Sequence, residues 1–150
     1  MRIIKNYSLN EEVLNLLLQA NPDKGKVLNE YNQSTNYIFM NNNKVIGVIL
    51  LDAISNENVE ILNLSIKEDY QGKGYGKKFL NTIFNILENE GYKKIQVGTG
   101  NSSLRPLAFY QKLGFRIISI KKNYFIDNYT EDIYENTIQC VDLLMLEKNI

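Results

Sequence analysis

The sequence predicts an α/β fold, a mixed sheet flanked by helices, and three observations carry that prediction. Residues 35–66 hold three β-rich segments separated by short Asn- and Ser-containing turns. Residues 74–90 set Phe79, Leu80, Ile83, Phe84 and Leu87 at helical spacing ahead of Gly91, which supplies a left-handed stop. Two more strand-like runs, 115–126 and 137–147, follow a second helical stretch that ends at Gly114.

Taken in order, residues 2–7 read as a short strand. Ser8 and Glu11 form a capping-box pattern for a helix over about 9–20, and Pro22 opens a second, shorter helix through Tyr31. Thr35 to Met40, Lys44 to Ala53 and Val59 to Ile66 suggest an antiparallel meander, with Asn41-Asn42-Asn43 as one of its turns. After the 74–90 helix, Lys94 to Gly98 reads as a strand. Asn101, Ser102 and Ser103 offer N-caps to a helix through Leu113, where Pro106 falls in the first turn and its missing N–H matters little. The last two strands are expected to pair, joined by an acidic and aromatic connection. An exposed final strand would be able to join a partner's sheet and build a homodimer.

Length and composition narrow the functional classes. A chain of 150 residues suits one domain, 1–150, able to bury about 70% of its unfolded surface. No apolar run reaches the ~18 residues of a membrane span, and the N-terminus lacks a signal-peptide pattern, so a cytoplasmic protein without a membrane partner is expected. Lys and Arg balance Asp and Glu at 17 each, and the one dense basic cluster is Lys73, Lys77 and Lys78, which argues against a nucleic-acid partner. With no His, the chain cannot build a Ser-His-Asp triad, a Cys-His pair or a His-ligated metal site, and no metal is expected. Its single cysteine, Cys140, sits in a strand-like run and reads as a buried apolar side chain rather than a reactive thiol.

The segment with most chemical content is Gln71-Gly72-Lys73-Gly74-Tyr75-Gly76-Lys77-Lys78, between a predicted strand and the 74–90 helix. Glycines let the backbone turn tightly, so that successive N–H groups and a helix N-terminus converge on an anion such as a pyrophosphate. Lys73, Lys77 and Lys78 add screened charge. The spacing fits neither the P-loop nor GxGxxG, whose third glycine would come one residue later. A tight structural turn is the competing reading of the loop alone.

Gln71, Gly74 and Gly76 match the pattern of Gln or Arg, two residues, Gly, one residue, then Gly or Ala. Phe109-Tyr110-Gln111-Lys112-Leu113-Gly114-Phe115 closes a helix as an aromatic-Tyr-x-Lys-x-Gly-Phe run. On these two motifs the chain resembles the GNAT superfamily of N-acetyltransferases, well over about residues 44–118 and in element order beyond. The resemblance implies a GNAT-like fold, a mostly antiparallel sheet with two splayed strands, here 59–66 and 94–98, that admit the pantetheine arm of acetyl-CoA. It implies that Gln71, Gly72, Lys73, Gly74, Tyr75, Gly76 and Lys77 hold the cofactor phosphates, and that backbone groups of Leu64, Ser65 and Ile66 pair with the pantetheine. Tyr110 takes the position of the general acid that protonates the departing thiolate, as a phenol with a pKa of about 10 is able to do at neutral pH. Glu60, eleven residues before Gln71, takes the position of a carboxylate that accepts the amine proton. The family's cofactor-contacting Asn falls on Ser103 here, with Asn101 two residues upstream. Asn101 is placed in the cofactor set, with helix capping as the alternative for both, and Lys112 is placed near a CoA phosphate, with a solvated helix face as its alternative.

The expected partners are therefore acetyl-CoA and an amine. Asp127, Glu131, Asp132 and Glu135, interleaved with Phe125, Tyr129 and Tyr134, suggest a small polycationic amine over a protein lysine or N-terminus, against the plainer reading of a solvated loop. A second functional class is a sensor or interaction module that binds acetyl-CoA without efficient catalysis.

Overall fold

The computed structural model describes residues 1–150, and the chain divides into two compact units, Met1–Lys93 and Lys94–Ile150. In the first, strands β1 (Arg2–Lys5), β2 (Thr35–Asn41), β3 (Lys44–Ala53) and β4 (Asn58–Ile66) pair antiparallel in sequence order. Asn42 and Asn43 both adopt positive φ (50° and 62°) in the tight β2–β3 turn, a conformation Asn tolerates better than most residues. Helices α1 (Glu11–Ala20), α2 (Lys24–Gln33) and α3 (Tyr75–Asn89) complete the unit.

The alternating side chains of the sheet separate two cores. Ile38, Met40, Val48 and Leu50 pack with Val13, Leu16 and Leu17 of α1 and Val27 of α2. Phe39, the next residue along β2, points the other way and stacks on Phe79 of α3 with ring centroids 5.0 Å apart. Gly47 makes room on that face, since a Cβ there would come within 2.8 Å of Ile66 and 3.4 Å of Phe79. The β3–β4 register slips between Leu50 and Leu51, which face Asn63 and Ile61, so Leu62 is the extra residue of a bulge.

In the second unit β9 (Leu143–Asn149) lies between β5 (Lys94–Gly100) and β6 (Arg116–Lys121), antiparallel to both. Helix α4 (Leu104–Lys112) follows β5, and Gly114 ends it at φ 94°. A short helix α5 (Tyr124–Asn128) and a hairpin of β7 (Tyr134–Glu135) and β8 (Ile138–Gln139) fill the connection between β6 and β9.

Several expectations are corrected. The N-cap of α1 is Asn10, whose side chain accepts from Val13 N at 2.9 Å, so the Ser8–Glu11 capping box does not form. Asp23, rather than Pro22, caps α2, accepting from Lys26 N at 3.1 Å. The penultimate strand ends at Lys121, because Asn123 turns the chain at φ 60° into α5. The final strand is shorter than expected and has neighbours on both edges, so it is not the strand a partner would join. The strand with an open flank in this unit is β6, where Ile117, Ile118 and Ile120 are about half exposed. None of the helices is long and apolar enough to cross a membrane.

Candidate active site

The loop after β4 is built to leave main-chain donors free. A 3-10 turn at Glu68–Tyr70 brings the chain to Gln71, whose side chain donates back to the Ile66 carbonyl at 2.8 Å and fixes the loop against the end of β4. Gly72 and Gly74 then take φ of 71° and 85°, and a Cβ at either would meet nothing within 4 Å. These glycines are required by backbone conformation, and the space beside them is open to a ligand. The first hydrogen bond of α3 runs from Lys78 N to Gly74 O at 3.1 Å, so Tyr75, Gly76 and Lys77 present first-turn N–H groups that have no acceptor within the helix. Lys73, Lys77 and Lys78 are exposed around this turn, and no side chain caps it. The donor set suits a pyrophosphate, because main-chain N–H groups, the helix dipole and nearby ammonium groups all favour an anion there.

Strand β4 carries Leu64, Ser65 and Ile66 directly ahead of the loop, in register with Ile49, Val48 and Gly47 of β3. Ser65 is buried and its hydroxyl donates to Asn63 Oδ1 at 3.4 Å, while Asn63 Nδ2 donates to the Leu17 carbonyl at 3.0 Å. At the other end of β4, Glu60 is half-buried and lies opposite Asp52. Glu30, in the last turn of α2, interacts electrostatically with Glu60. Burial, then the negative charge of Glu60, raise the Glu30 carboxyl to about 7, against the lowering effects of the Asn21 side chain and Lys26. Nothing in the sequence separates Glu30 from an ordinary solvated helix glutamate.

In the second unit Tyr110 is 6% exposed, its ring edge-on to Phe109 and Phe115 at 5.3 and 5.2 Å. Burial raises its phenol well above the usual tyrosine range, so it stays protonated at neutral pH. Asn101 serves its own loop: its side chain donates to the Gln139 carbonyl at 3.0 Å and accepts from Val141 N and Asp142 N at 2.8 and 2.9 Å. Neither it nor Ser103 caps α4 through its side chain, since Ser103 Oγ instead donates to Glu135 Oε1 at 2.9 Å. Glu135 is thereby tied to the start of α4, whereas Glu131 and Asp132 are exposed, and Lys112 lies exposed on α4. Cys140 is buried against Gly100, where any Cβ would strike its sulfur, and burial raises its thiol.

Comparison with known proteins adds a family. Residues 8–115 match the model of the acetyltransferase (GNAT) family. The chain is 38% identical to the uncharacterized N-acetyltransferase YvbK of Bacillus subtilis over 146 residues, 97% of this chain and 94% of the relative. Among solved structures, a GNAT family acetyltransferase of Elizabethkingia anophelis with acetyl-CoA bound is similar at a TM-score of 0.93 and 37% identity, over 99% of this chain and 97% of the other. A Bacillus subtilis acetyltransferase in complex with CoA is similar at the same TM-score and identity, over 99% and 98%.

Proposed function

Because the chain belongs to the GNAT family of acetyltransferases, with its fold and with acetyl-CoA as the acetyl donor, we propose that its acceptor is a primary amine attacking directly in a ternary complex, a small polycationic amine being favoured. The observation that carries this reading is the position of Tyr110, whose phenol lies near the end of α4 within the segment the family model matches and is protonated at neutral pH, so that it has a proton to give to a departing thiolate. Acetyl-CoA supplies the thioester to be attacked and the thiolate that leaves.

In this reading Glu60 takes the proton of the incoming ammonium, because an amine of pKa near 10 must be deprotonated before it attacks at pH 7. The Gln71–Lys77 turn holds the phosphates, and main-chain groups of Leu64, Ser65 and Ile66 align the pantetheine as an added strand would. Lys112, exposed on α4, offers a positive charge to a CoA phosphate. Asn101 contributes through the loop that it anchors. The exposed Glu131 and Asp132 provide the negative surface for a cationic acceptor. The family match spans the boundary between the two units, which supports treating 1–150 as one catalytic domain.

Isothermal titration with acetyl-CoA and with CoA, followed by free-thiol release against polyamines, aminoglycosides and lysine peptides, tests the reading. Binding with thiol release that depends on a polyamine is the expected result. Release with lysine peptides alone would overturn the acceptor preference, and tight binding with no release from any amine would favour a sensor.

A further inference from the structure

The Glu30 carboxyl is a half-buried titratable group of the first unit that the reaction just described leaves unused. Its Oε1 is buried and has no hydrogen-bond partner, an arrangement that is unfavourable for a carboxylate unless the oxygen carries a proton or meets a ligand. Three elements converge around it. Asn21, the C-cap of α1, hydrogen-bonds the carboxyl, Lys26 lies one turn earlier on α2, and Glu60 of β4 acts on it electrostatically. One turn after Glu30 is Gln33, whose amide reaches Asp52 Oδ2 at 3.4 Å, and Asp52 is the residue opposite Glu60 in the β3–β4 ladder. The end of α2 is thus tied to the register position of Glu60. A leucine or methionine would fill this corner without an orphaned oxygen.

We propose that Glu30 is a positioning residue for the acetyl transfer, a second carboxyl that receives the proton Glu60 removes from the amine. The proposal rests on the assignment of Glu60 as base. The ammonium gives its proton to the Glu60 carboxylate and becomes a neutral amine. The proton then passes, directly or through water, to the Glu30 carboxylate, which becomes a carboxylic acid and restores the charge on Glu60. Solvent recovers the proton from Glu30, so no other reactant is required. Above about pH 7 Glu30 is ionised and ready to accept; below it Glu30 is already protonated and the relay is closed.

The test compares wild type with Glu30→Gln, which copies the protonated shape and cannot titrate. Acceptor-dependent thiol release should fall about tenfold in the variant at pH 8, at the low end of acid–base contributions, and the difference should shrink below twofold at pH 6. An equal ratio at the two pH values overturns the proposal, because a packing role would not depend on the protonation of Glu30. Carboxyl NMR titration of the intact protein gives a readout independent of activity. Glu30 should titrate near neutrality in wild type and move down in Glu60→Gln. A Glu30 in the ordinary carboxylate range, or one indifferent to Glu60→Gln, overturns the pairing. Unchanged turnover in Glu60→Gln would instead remove the base assignment, while the titration would still decide whether the two carboxyls are coupled.

Discussion

The carboxyl corner of the first unit and the aromatic end of α4 in the second apply one physical cause to two acids, with opposite results. At Tyr110, burial acts on a phenol whose ordinary pKa is already about 10, and the group is held protonated throughout the physiological range. At Glu30, burial acts on a carboxyl that ordinarily ionises near 4.5, and brings it to about 7, into the range where it changes charge. Desolvation therefore keeps one acid protonated throughout and brings the other into the range where it changes charge. The starting pKa, rather than the depth of burial, decides which role results.

The largest effect that would break this contrast is expected at Tyr110. Tyr110→Phe should lower turnover by about 10² to 10⁴ with CoA affinity nearly intact in isothermal titration. Unchanged turnover would reduce Tyr110 to a packing aromatic. Because the phenol is raised, the pH–rate profile of the wild type should have no descending limb from this group below about pH 10. Glu60→Gln should follow with a loss of about 10-fold to 100-fold and a changed acidic limb; a profile identical to wild type would remove Glu60 from proton transfer.

A smaller effect concerns stability. The folded-state pKa of Glu30 lies above its unfolded value, so its contribution is fully present below about pH 4.5 and is lost as pH rises through about 7. Glu30→Gln avoids that loss. It should raise stability at pH 8 by ~1 kcal/mol, after discounting for a half-buried group, or about 3 °C in Tm, and should change little at pH 4.5. Thermal melts at the two pH values check this, and a variant less stable at pH 8 would mean that the carboxylate is held by partners rather than strained by burial. The smallest effect is expected from the acidic connection. Asp132→Asn should raise the KM of a cationic acceptor by about twofold to fivefold, as a screened surface charge would, and an unaltered KM would leave the acceptor without help from this segment.

Local chemistry made much of the molecule legible in the sequence. The apolar spacing of Phe79, Leu80, Ile83, Phe84 and Leu87 defined α3, and Gly72 and Gly74 occupy the positive-φ positions that place its N-terminus in the open. The β-rich segments of 35–66, broken by Asn- and Ser-containing turns, defined the meander. The same reading erred where competing local partners were equally good: Asn10 rather than Ser8 caps α1, and Ser103 turns from its helix to Glu135. A side chain with two available partners is assigned by whichever the tertiary fold brings nearer.

Sequence alone determined β2 to β4, α3 and the glycine turn between β4 and α3, because helical spacing, β-rich composition and glycine conformation are properties of neighbouring residues. Only the tertiary structure decided that β9 is enclosed by β5 and β6, that Asn101 anchors 139–142, and that Glu30 lies within electrostatic reach of Glu60 with an oxygen left unpartnered. These are encounters between residues more than 20 positions apart in the chain. The ionisation of a carboxyl depends on what desolvates it, which no local pattern of residues records.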